Sequence, residues 1–185
     1  MSFDHNRPFI PLRIVVLTIS DSRTKANDSS GAYLCKAASD AGHTIQNYSI
    51  ITDDLQKIVH TLQTSSQQND VDVILCTGGT GLTGRDVTPE AFSQVVEKWI
   101  PGFGELFRYL SFQKIGTSTI QSRATAGIAN GSFLFALPGS TGACKDAWEG
   151  ILKAQLDIRH RPCNFAELIP RLQESPWARK GGISS

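Results

Sequence analysis

The sequence predicts an α/β fold of three layers (αβα), in which a mostly parallel, doubly wound sheet lies between two layers of helices. Three largely apolar runs, Arg13–Ile19, Val71–Cys76 and Ser132–Leu137, are typical of strands that are buried on both faces. Segments with a helical spacing of apolar residues separate these runs. Strands that alternate with helices along a chain indicate a parallel sheet with helices on both faces.

The remaining elements are predicted from apolar periodicity, capping residues and prolines. Ile45–Ile51 alternates weakly and is predicted as a second strand. Thr88 is the expected N-cap of a helix that has Pro89 in its first position and ends near Trp99. The small residues of Ala124–Ala126 have helical tendency. The other predicted helices are Gly31–Gly42, Leu55–Gln67, Gly102–Phe112 and Ala143–Leu156.

Length and composition indicate one globular domain. The chain has 185 residues, of which 40% are hydrophobic and 19% charged. Residues 1–12 are predicted as a mobile N-terminal arm, residues 13–172 as the domain, and residues 173–185 as a C-terminal tail. The formal net charge of +1 does not indicate nucleic acid or a membrane as a partner.

The cysteines and the apolar runs indicate a cytoplasmic protein. The run Ile14–Ile19 is too short for a signal peptide or a membrane span. The four cysteines include no C-x-x-C pair and match no zinc spacing, so we expect reduced thiols.

The segment Cys76–Glu90, CTGGTGLTGRDVTPE, carries the strongest indication of a ligand site. A glycine-rich turn follows the strand and consists of Thr77, Gly78, Gly79, Thr80 and Gly81. Glycines let the backbone approach a ligand closely, and successive N–H groups in such a turn bind anions. The turn therefore predicts a phosphate or nucleotide site, although an ordinary strand-to-helix turn would have a similar sequence. It matches neither the P-loop nor the dinucleotide fingerprint.

Two aspartates near this turn could hold a metal ion. Asp86 stands two residues before the expected helix cap, where a bound phosphate would repel it unless a cation lay between them. Mg²⁺ is commonly held by one or two carboxylates together with phosphate oxygens. Asp53 follows the strand Ile45–Ile51 at the same sheet edge and could face the same ion. A solvated turn residue is the alternative for Asp86, and a helix N-cap is the alternative for Asp53 and the preferred role of Asp54.

Two further polar loops follow buried strands at the same edge of the sheet. Ser20–Gly31 ends in Asp28, Ser29 and Ser30 before a helix, where hydroxyl and N–H groups could bind an anion or simply cap the helix. Leu137–Ala143 offers Pro138, Gly139, Ser140 and Thr141 in the same position after the last buried strand. Four such loops form the expected wall of a ligand crevice. The four histidines fall outside these loops, so the predicted chemistry is transfer between phosphates aided by a metal.

The sequence resembles the MoaB/MogA family of molybdenum cofactor biosynthesis proteins. The resemblance rests on TISDSRTKANDSSG (Thr18–Gly31), TGGTGLTGRDVTPEA (Thr77–Ala91), PGFGELFR (Pro101–Arg108) and LPGSTGACKDAWE (Leu137–Glu149), and it covers residues 10–172. It implies a molybdopterin-binding fold, a cytoplasmic location, and trimers that pair into hexamers in the MoaB branch. It also implies binding of molybdopterin and ATP with Mg²⁺, formation of adenylated molybdopterin and release of pyrophosphate.

The resemblance also implies roles for individual residues. Asp53 and Asp86 match the family's two key aspartates and are the expected catalytic and metal-binding residues. The turn Thr77–Gly81 matches the nucleotide loop, Asp28, Ser29 and Gly31 match the first binding loop, and Pro138, Gly139 and Ser140 match the segment that binds the pterin ligand.

Two functional hypotheses follow from these observations. The first is an enzyme, molybdopterin adenylyltransferase. The second is a non-catalytic protein that binds molybdopterin, or that binds another enzyme of the same pathway, and catalyses no reaction itself. A stripe of large apolar residues on the Gly102–Phe112 helix predicts an interface between copies of the chain and consists of Phe103, Leu106, Phe107 and Leu110.

Overall fold

The computed structural model describes residues 2–174 of the chain. Eight strands are present in this part of the chain: β1 (Ser2–Phe3), β2 (Arg13–Ile19), β3 (Thr44–Ile51), β4 (Val73–Thr77), β5 (Lys98–Trp99), β6 (Thr125–Ala129), β7 (Ser132–Leu137) and β8 (His160–Arg161). The α-helices are α1 (Ser29–Asp40), α2 (Leu55–Ser66), α3 (Thr88–Val95), α4 (Pro101–Ile115), α5 (Thr141–Ala147) and α6 (Lys153–Gln155). A π-helical turn, Trp148–Leu152, joins α5 to α6, and 3-10 helices span Gly116–Gln121 and Ala166–Arg171.

Six strands form the central sheet in the order β3-β2-β4-β7-β6-β5. The first four of these are parallel, whereas β6 runs antiparallel to β7 and β5 antiparallel to β6. The register places Thr18 beside Ile50 and Thr77. The strands β1 and β8 form a separate antiparallel pair.

Helices cover both faces of this sheet, which confirms the predicted three-layer αβα architecture. Alternate residues of β2, such as Ile14 and Val16, pack with α1, α4 and α5 on one face. The intervening residues, such as Val15 and Leu17, pack with α2 and α3 on the other. Because β2, β4 and β7 are buried on both faces, their sequences are apolar along almost their whole length.

The strand order reverses between β2 and β4, and this reversal positions the functional site. The chain leaves β2 for β3 on one side and later returns to place β4 on the other side. The loops that follow β2 and β4 therefore diverge and leave a crevice beyond the carboxyl ends of these strands, where open α/β sheets commonly bind ligands.

Two predictions about secondary structure were wrong. The helix expected to continue to Trp99 ends at Val95, because Val96 is extended and Lys98–Trp99 pairs with β6. Ala124–Ala126 enters strand β6 instead of a helix, since the small residues of β6 allow close packing. A Cβ at Gly127 would lie 2.4 Å from the Val96 Cγ1.

The expected capping role of Thr88 was also wrong. Val87 is the N-cap residue of α3 and makes no side-chain capping bond. The Thr88 hydroxyl instead donates to the Gly78 carbonyl at 2.9 Å, so this side chain fastens the glycine-rich turn to the helix.

The apolar stripe predicted on α4 divides between the core and the surface. Phe103 and Phe107 are buried, whereas Leu106 is exposed, because the helix turns one side toward the sheet. The exposed face includes Tyr109, Phe112 and Ile115.

The N-terminal segment, for which mobility was predicted, makes specific contacts with the domain. Ser2–Phe3 pairs with β8, the Arg7 guanidinium donates to Glu167 at 2.9 Å, and the Leu12 amide donates to the His43 Nδ1 at 3.2 Å. These contacts anchor the segment, and its mobility remains a prediction. The predicted C-terminal tail lies outside the described residues from position 175 onward.

The four cysteines are free thiols. None of the helices found between residues 2 and 174 has the length and apolarity needed to cross a membrane.

Candidate functional site

A cavity of about 470 Å³ opens at the carboxyl ends of β2, β4 and β7. Its lining includes the whole glycine-rich turn and parts of the loops that follow β2 and β7. The wall opposite comes from α4 and the 3-10 helix after it. The residues lining the cavity from the three loops are Thr18, Ile19, Ser20, Arg23, Asp28, Thr77, Gly78, Gly79, Thr80, Gly81, Asp86, Pro138, Gly139 and Ser140.

The glycine-rich turn has a backbone that requires glycine at two positions. Gly78 and Gly79 have φ angles of 107° and 60°, in the left-handed region. A Cβ at Gly78 would lie 2.1 Å from the Ile19 carbonyl oxygen, so the turn passes directly over the end of β2. The Gly78 amide donates to the Leu137 carbonyl at 3.0 Å, which links the turn to β7.

Asp53 and Asp86 reach this turn from two different loops. A Cβ at Gly79 would lie 2.9 Å from the Asp53 Oδ1, and a Cβ at Gly81 would lie 2.7 Å from the Asp86 Oδ2. Asp86 lines the cavity, whereas Asp53 lies beside its rim and does not line it. The structure thus brings the two predicted aspartates to opposite ends of the same three-residue segment, Gly79–Gly81.

The negative charge around Asp53 is only partly compensated. Burial raises the pKa of Asp53, and the nearby carboxylates of Asp21 and Asp86 raise it further, against the opposing effect of Arg85. Arg85 forms an ion pair with Asp21, and the Asp53 amide donates to Asp21 at 3.1 Å. A cation bound here would relieve the repulsion among these carboxylates.

Asp86 is held as a carboxylate by its own loop. The Thr83 hydroxyl and amide donate to the Asp86 Oδ2 at 2.6 and 2.9 Å. The pKa of Asp86 is lowered, chiefly by the Thr83 hydroxyl, with a smaller contribution from Arg123. Asp86 is therefore ionised across the physiological pH range.

Asp28 and Gly31 have structural roles at the start of α1. The Asp28 carboxylate caps the helix by accepting from the Gly31 amide at 3.0 Å, and it accepts from the Tyr48 hydroxyl at 2.6 Å. Burial tends to raise the pKa of Asp28, but the hydrogen bonds outweigh burial and lower it. A Cβ at Gly31 would lie 2.4 Å from Thr18 Oγ1, so glycine lets α1 approach β2. Asp28 lines the cavity, whereas Gly31 does not.

Serine hydroxyls join the first and last loops of the crevice. The Ser29 and Thr141 hydroxyls lie 2.8 Å apart, and the Ser30 hydroxyl donates to the Gly139 carbonyl at 2.8 Å. Ser29 does not line the cavity. The Ser140 hydroxyl caps α5 by accepting from the Ala143 amide at 3.2 Å. These bonds fix the relative positions of the two loops.

Thr77 supports the site from below. Its buried hydroxyl donates to the Pro138 carbonyl at 2.9 Å and lies 3.1 Å from the Cys144 Sγ. Burial raises the pKa of Cys144 to about 11, so this thiol stays protonated at neutral pH. Thr77 therefore ties the end of β4 to the loop after β7.

The structure adds several residues that the sequence analysis missed. Asp21 joins the acidic group, and its position directly after β2 was the available signal. Arg23 lines the crevice and donates to the Ser29 hydroxyl at 3.3 Å. The opposite wall is rich in hydroxyl groups and is formed by Phe107, Ser111, Ile115, Ser118, Thr119, Gln121 and Ser122.

Comparison with known protein families agrees with the site geometry. Residues 15–158 match the family MoCF_biosynth, described as "Probable molybdopterin binding domain". A relative from Escherichia coli (strain K12), "Molybdenum cofactor biosynthesis protein B", is 50% identical over 157 residues, which cover 85% of this chain and 92% of the relative. A protein of the same name from Halalkalibacterium halodurans is 44% identical over 159 residues, with coverage of 84% and 94%.

Solved structures show the same fold. A crystal structure of "Molybdenum cofactor biosynthesis protein B" superposes with a TM-score of 0.81 at 37% identity and covers 90% of this chain and 98% of that chain. The "tungsten cofactor synthesizing protein MoaB from Pyrococcus furiosus" superposes with a TM-score of 0.70 at 35% identity, with coverage of 76% and 90%. The chain belongs to the MoaB/MogA family of molybdenum cofactor biosynthesis proteins, and its residues 15–158 form the molybdopterin-binding domain of that family.

Proposed function

We propose that this protein is a molybdopterin adenylyltransferase, which transfers AMP from ATP to molybdopterin. The observation that carries the proposal is the convergence of Asp53 and Asp86 on the segment Gly79–Gly81. A glycine turn with close backbone approach suits phosphate groups, and two carboxylates beside it suit the metal ion that accompanies ATP.

The donor set at this edge fits Mg²⁺ that arrives with a nucleotide. No group of three or more histidine, cysteine, aspartate or glutamate side chains arranged to hold a metal occurs within residues 2–174. Two carboxylates are enough protein ligands for Mg²⁺, because this ion keeps several waters and takes its other ligands from substrate phosphates. Asp53 and Asp86 would hold the ion, which would neutralise charge on the ATP phosphates.

The proposed reaction needs positioning more than a protein nucleophile. An oxygen of the terminal phosphate of molybdopterin forms a bond to the α-phosphorus of ATP. The bond between that phosphorus and the bridging oxygen to the β-phosphate breaks, and pyrophosphate leaves with the electron pair. The attacking phosphate oxygen is already anionic at neutral pH, so no general base is required. This agrees with a cavity whose described lining contains no histidine.

The chain's own residues would orient the two substrates. The backbone of Gly79–Gly81 offers close approach to phosphate oxygens, and Arg23, in the loop after β2, supplies positive charge to the same crevice. The cavity of about 470 Å³ lies within the range of small-molecule sites. Its hydroxyl-rich wall offers donors and acceptors to a polar ring such as a pterin.

The experiment is to mix purified protein with molybdopterin, ATP and Mg²⁺ and to measure pyrophosphate release and adenylated product. We expect both in stoichiometric amounts, with no release when molybdopterin or Mg²⁺ is omitted. Calorimetric binding of molybdopterin without any pyrophosphate release would refute the transfer reaction and support the non-catalytic binding role instead.

A further inference from the structure

Arg123 lies outside the segments that the proposed function uses, yet it makes four polar contacts with the glycine-rich turn and the residues that follow it. Its Nε donates to the Gly81 carbonyl at 2.8 Å, and its Nη2 donates to the Asp86 carbonyl at 2.7 Å. Its Nη1 forms an ion pair with Glu90 at the start of α3. Its own amide donates to the Thr80 carbonyl at 3.2 Å.

The three contacts with backbone carbonyls determine which way the next amides point. In a trans peptide the carbonyl and the following N–H point in opposite directions. Arg123 draws the carbonyls of Thr80, Gly81 and Asp86 toward itself, so the next amides turn away from it. The Gly81 amide accordingly faces the Asp86 carboxylate and contributes to its lowered pKa.

The direction of β6 explains how Arg123 reaches the site. Because β6 runs antiparallel to β7, its first residues lie at the edge where the parallel strands end. Arg123 is two residues before β6, and its neighbours Gln121 and Ser122 line the opposite wall of the cavity. Arg123 therefore connects the two walls of the crevice.

We propose that Arg123 is a positioning residue, which sets the Gly81–Asp86 loop so that the Asp86 carboxylate faces the metal and phosphates. This inference rests on the proposed function for its effect on rate. The Arg123 side chain does not line the cavity, and it acts through the carbonyls of Gly81 and Asp86. A lysine keeps the positive charge but cannot donate in the fixed fork geometry that serves two carbonyls and a carboxylate together.

The test compares Arg123→Lys with two controls. Arg108→Lys alters an arginine that donates to the Ala124 carbonyl at 3.1 Å in the same wall but contacts no atom of the loop. Glu90→Gln removes the ion pair and leaves the two carbonyl contacts. For Arg123→Lys we expect kcat to fall by about tenfold to a hundredfold and the half-saturating Mg²⁺ concentration to rise, with the KM for ATP within about threefold of wild type. Both controls should stay within about threefold of wild type in kcat.

Hydrogen exchange of the substrate-free protein gives a readout that does not depend on activity. We expect Arg123→Lys to accelerate exchange at the amides of residues 81–87 and to leave β7 unchanged. Equal acceleration in the loop and in β7 would show a general stabilising role and overturn the proposal. The proposal would also be overturned if Arg123→Lys showed wild-type exchange or an unchanged Mg²⁺ requirement. The same holds if kcat fell as far in Glu90→Gln as in Arg123→Lys. If wild type releases no pyrophosphate, the proposed function fails, and the exchange measurement still decides the role of Arg123.

Discussion

The Asp53 carboxylate lies so close to Gly79 that a Cβ on this glycine would be 2.9 Å from the Asp53 Oδ1. The two residues follow β3 and β4, which are not neighbours, because β2 lies between them. Asp53 therefore reaches across the end of β2 to meet the glycine-rich turn. A side chain at position 79 would occupy the space between the turn, Asp53 and the Thr88 hydroxyl.

Gly79→Val should abolish close approach of phosphates to the turn. The valine Cβ would meet the Thr88 Oγ1 at 2.4 Å, and the φ of 60° disfavours a β-branched residue. We expect ATP binding to weaken by about tenfold or more while the sheet stays folded, as measured by calorimetry and circular dichroism. Gly84→Ala is the matched control, because a Cβ there meets nothing within 4 Å. Equal ATP affinity in Gly79→Val and wild type would contradict the role of the turn.

Asp86→Asn should impair transfer more than binding. The substitution keeps the size of the side chain but removes the charge that would hold the metal. Because the charge on leaving pyrophosphate develops in the transition state, we expect a loss on the order of 3–4 kcal/mol, or roughly a hundredfold to thousandfold in rate. Molybdopterin binding, measured by calorimetry, should stay close to wild type. More than about half of the wild-type rate at saturating Mg²⁺ would exclude the metal role.

Asp53→Asn should stabilise the substrate-free protein at neutral pH. The folded-state pKa of Asp53 is raised by burial and by Asp21 and Asp86. The folded state therefore holds this proton to higher pH than the unfolded state does, so the free energy of unfolding falls as pH rises through the window between the two pKa values. We expect a higher Tm for Asp53→Asn than for wild type at pH 7, and a difference that shrinks as pH falls toward about 4.

The neighbouring aspartate provides the control for this measurement. Asp54 caps α2 by accepting from the Lys57 amide at 2.9 Å, and asparagine caps equally well. Asp54→Asn should therefore leave both the Tm and its pH dependence close to wild type. A lower Tm for Asp53→Asn than for wild type at pH 7 would show that the carboxylate stabilises the fold and is not under repulsion.

The exposed face of α4 should be covered by further copies of the chain, as the family resemblance implies. Tyr109, Phe112 and Ile115 are between 54% and 62% exposed, an unusual apolar surface for one helix. We expect light scattering of wild type to give the mass of three or six chains of 20.1 kDa. Phe112→Asp should lower that mass, and Gln63→Asp on the exposed side of α2 should not. A monomeric wild type at micromolar concentration would contradict the expectation.

The sequence predicted those parts of the fold in which local pattern and tertiary environment agree. The strands β2, β4 and β7 are buried on both faces, so their apolar runs marked them to within two residues. The segment Thr125–Ala129 could not be assigned in this way, because its alanines and glycine favour no strand by themselves. Antiparallel pairing with β7, across a tight turn at Asn130 and Gly131, makes this segment a strand.

The site was predictable where it follows the parallel strands. Asp53, Asp86 and the glycine-rich turn all lie in loops that follow such strands, so the general geometry of open α/β sheets placed them together. Arg123 precedes its strand, and only the reversed direction of β6 brings it to the same edge. Asp28 accepts a hydrogen bond from Tyr48, and Gly31 packs against Thr18. Both partners are distant in sequence, so the structural roles of Asp28 and Gly31 could not be predicted.

Because β3 is an edge strand, its local opening would lower the affinity for a ligand bound between Asp53 and Asp86. The six-stranded sheet ends at β3, which pairs with β2 alone among the strands, and edge strands open more readily than central ones. Asp53 follows that edge strand, whereas Asp86 lies in the loop between the central strand β4 and α3. Each opening of β3 would separate the two carboxylates, so the measured affinity for a metal–nucleotide complex is the intrinsic affinity scaled by the closed fraction. Once bound, the same complex would hold the edge strand β3 in place and slow its local opening.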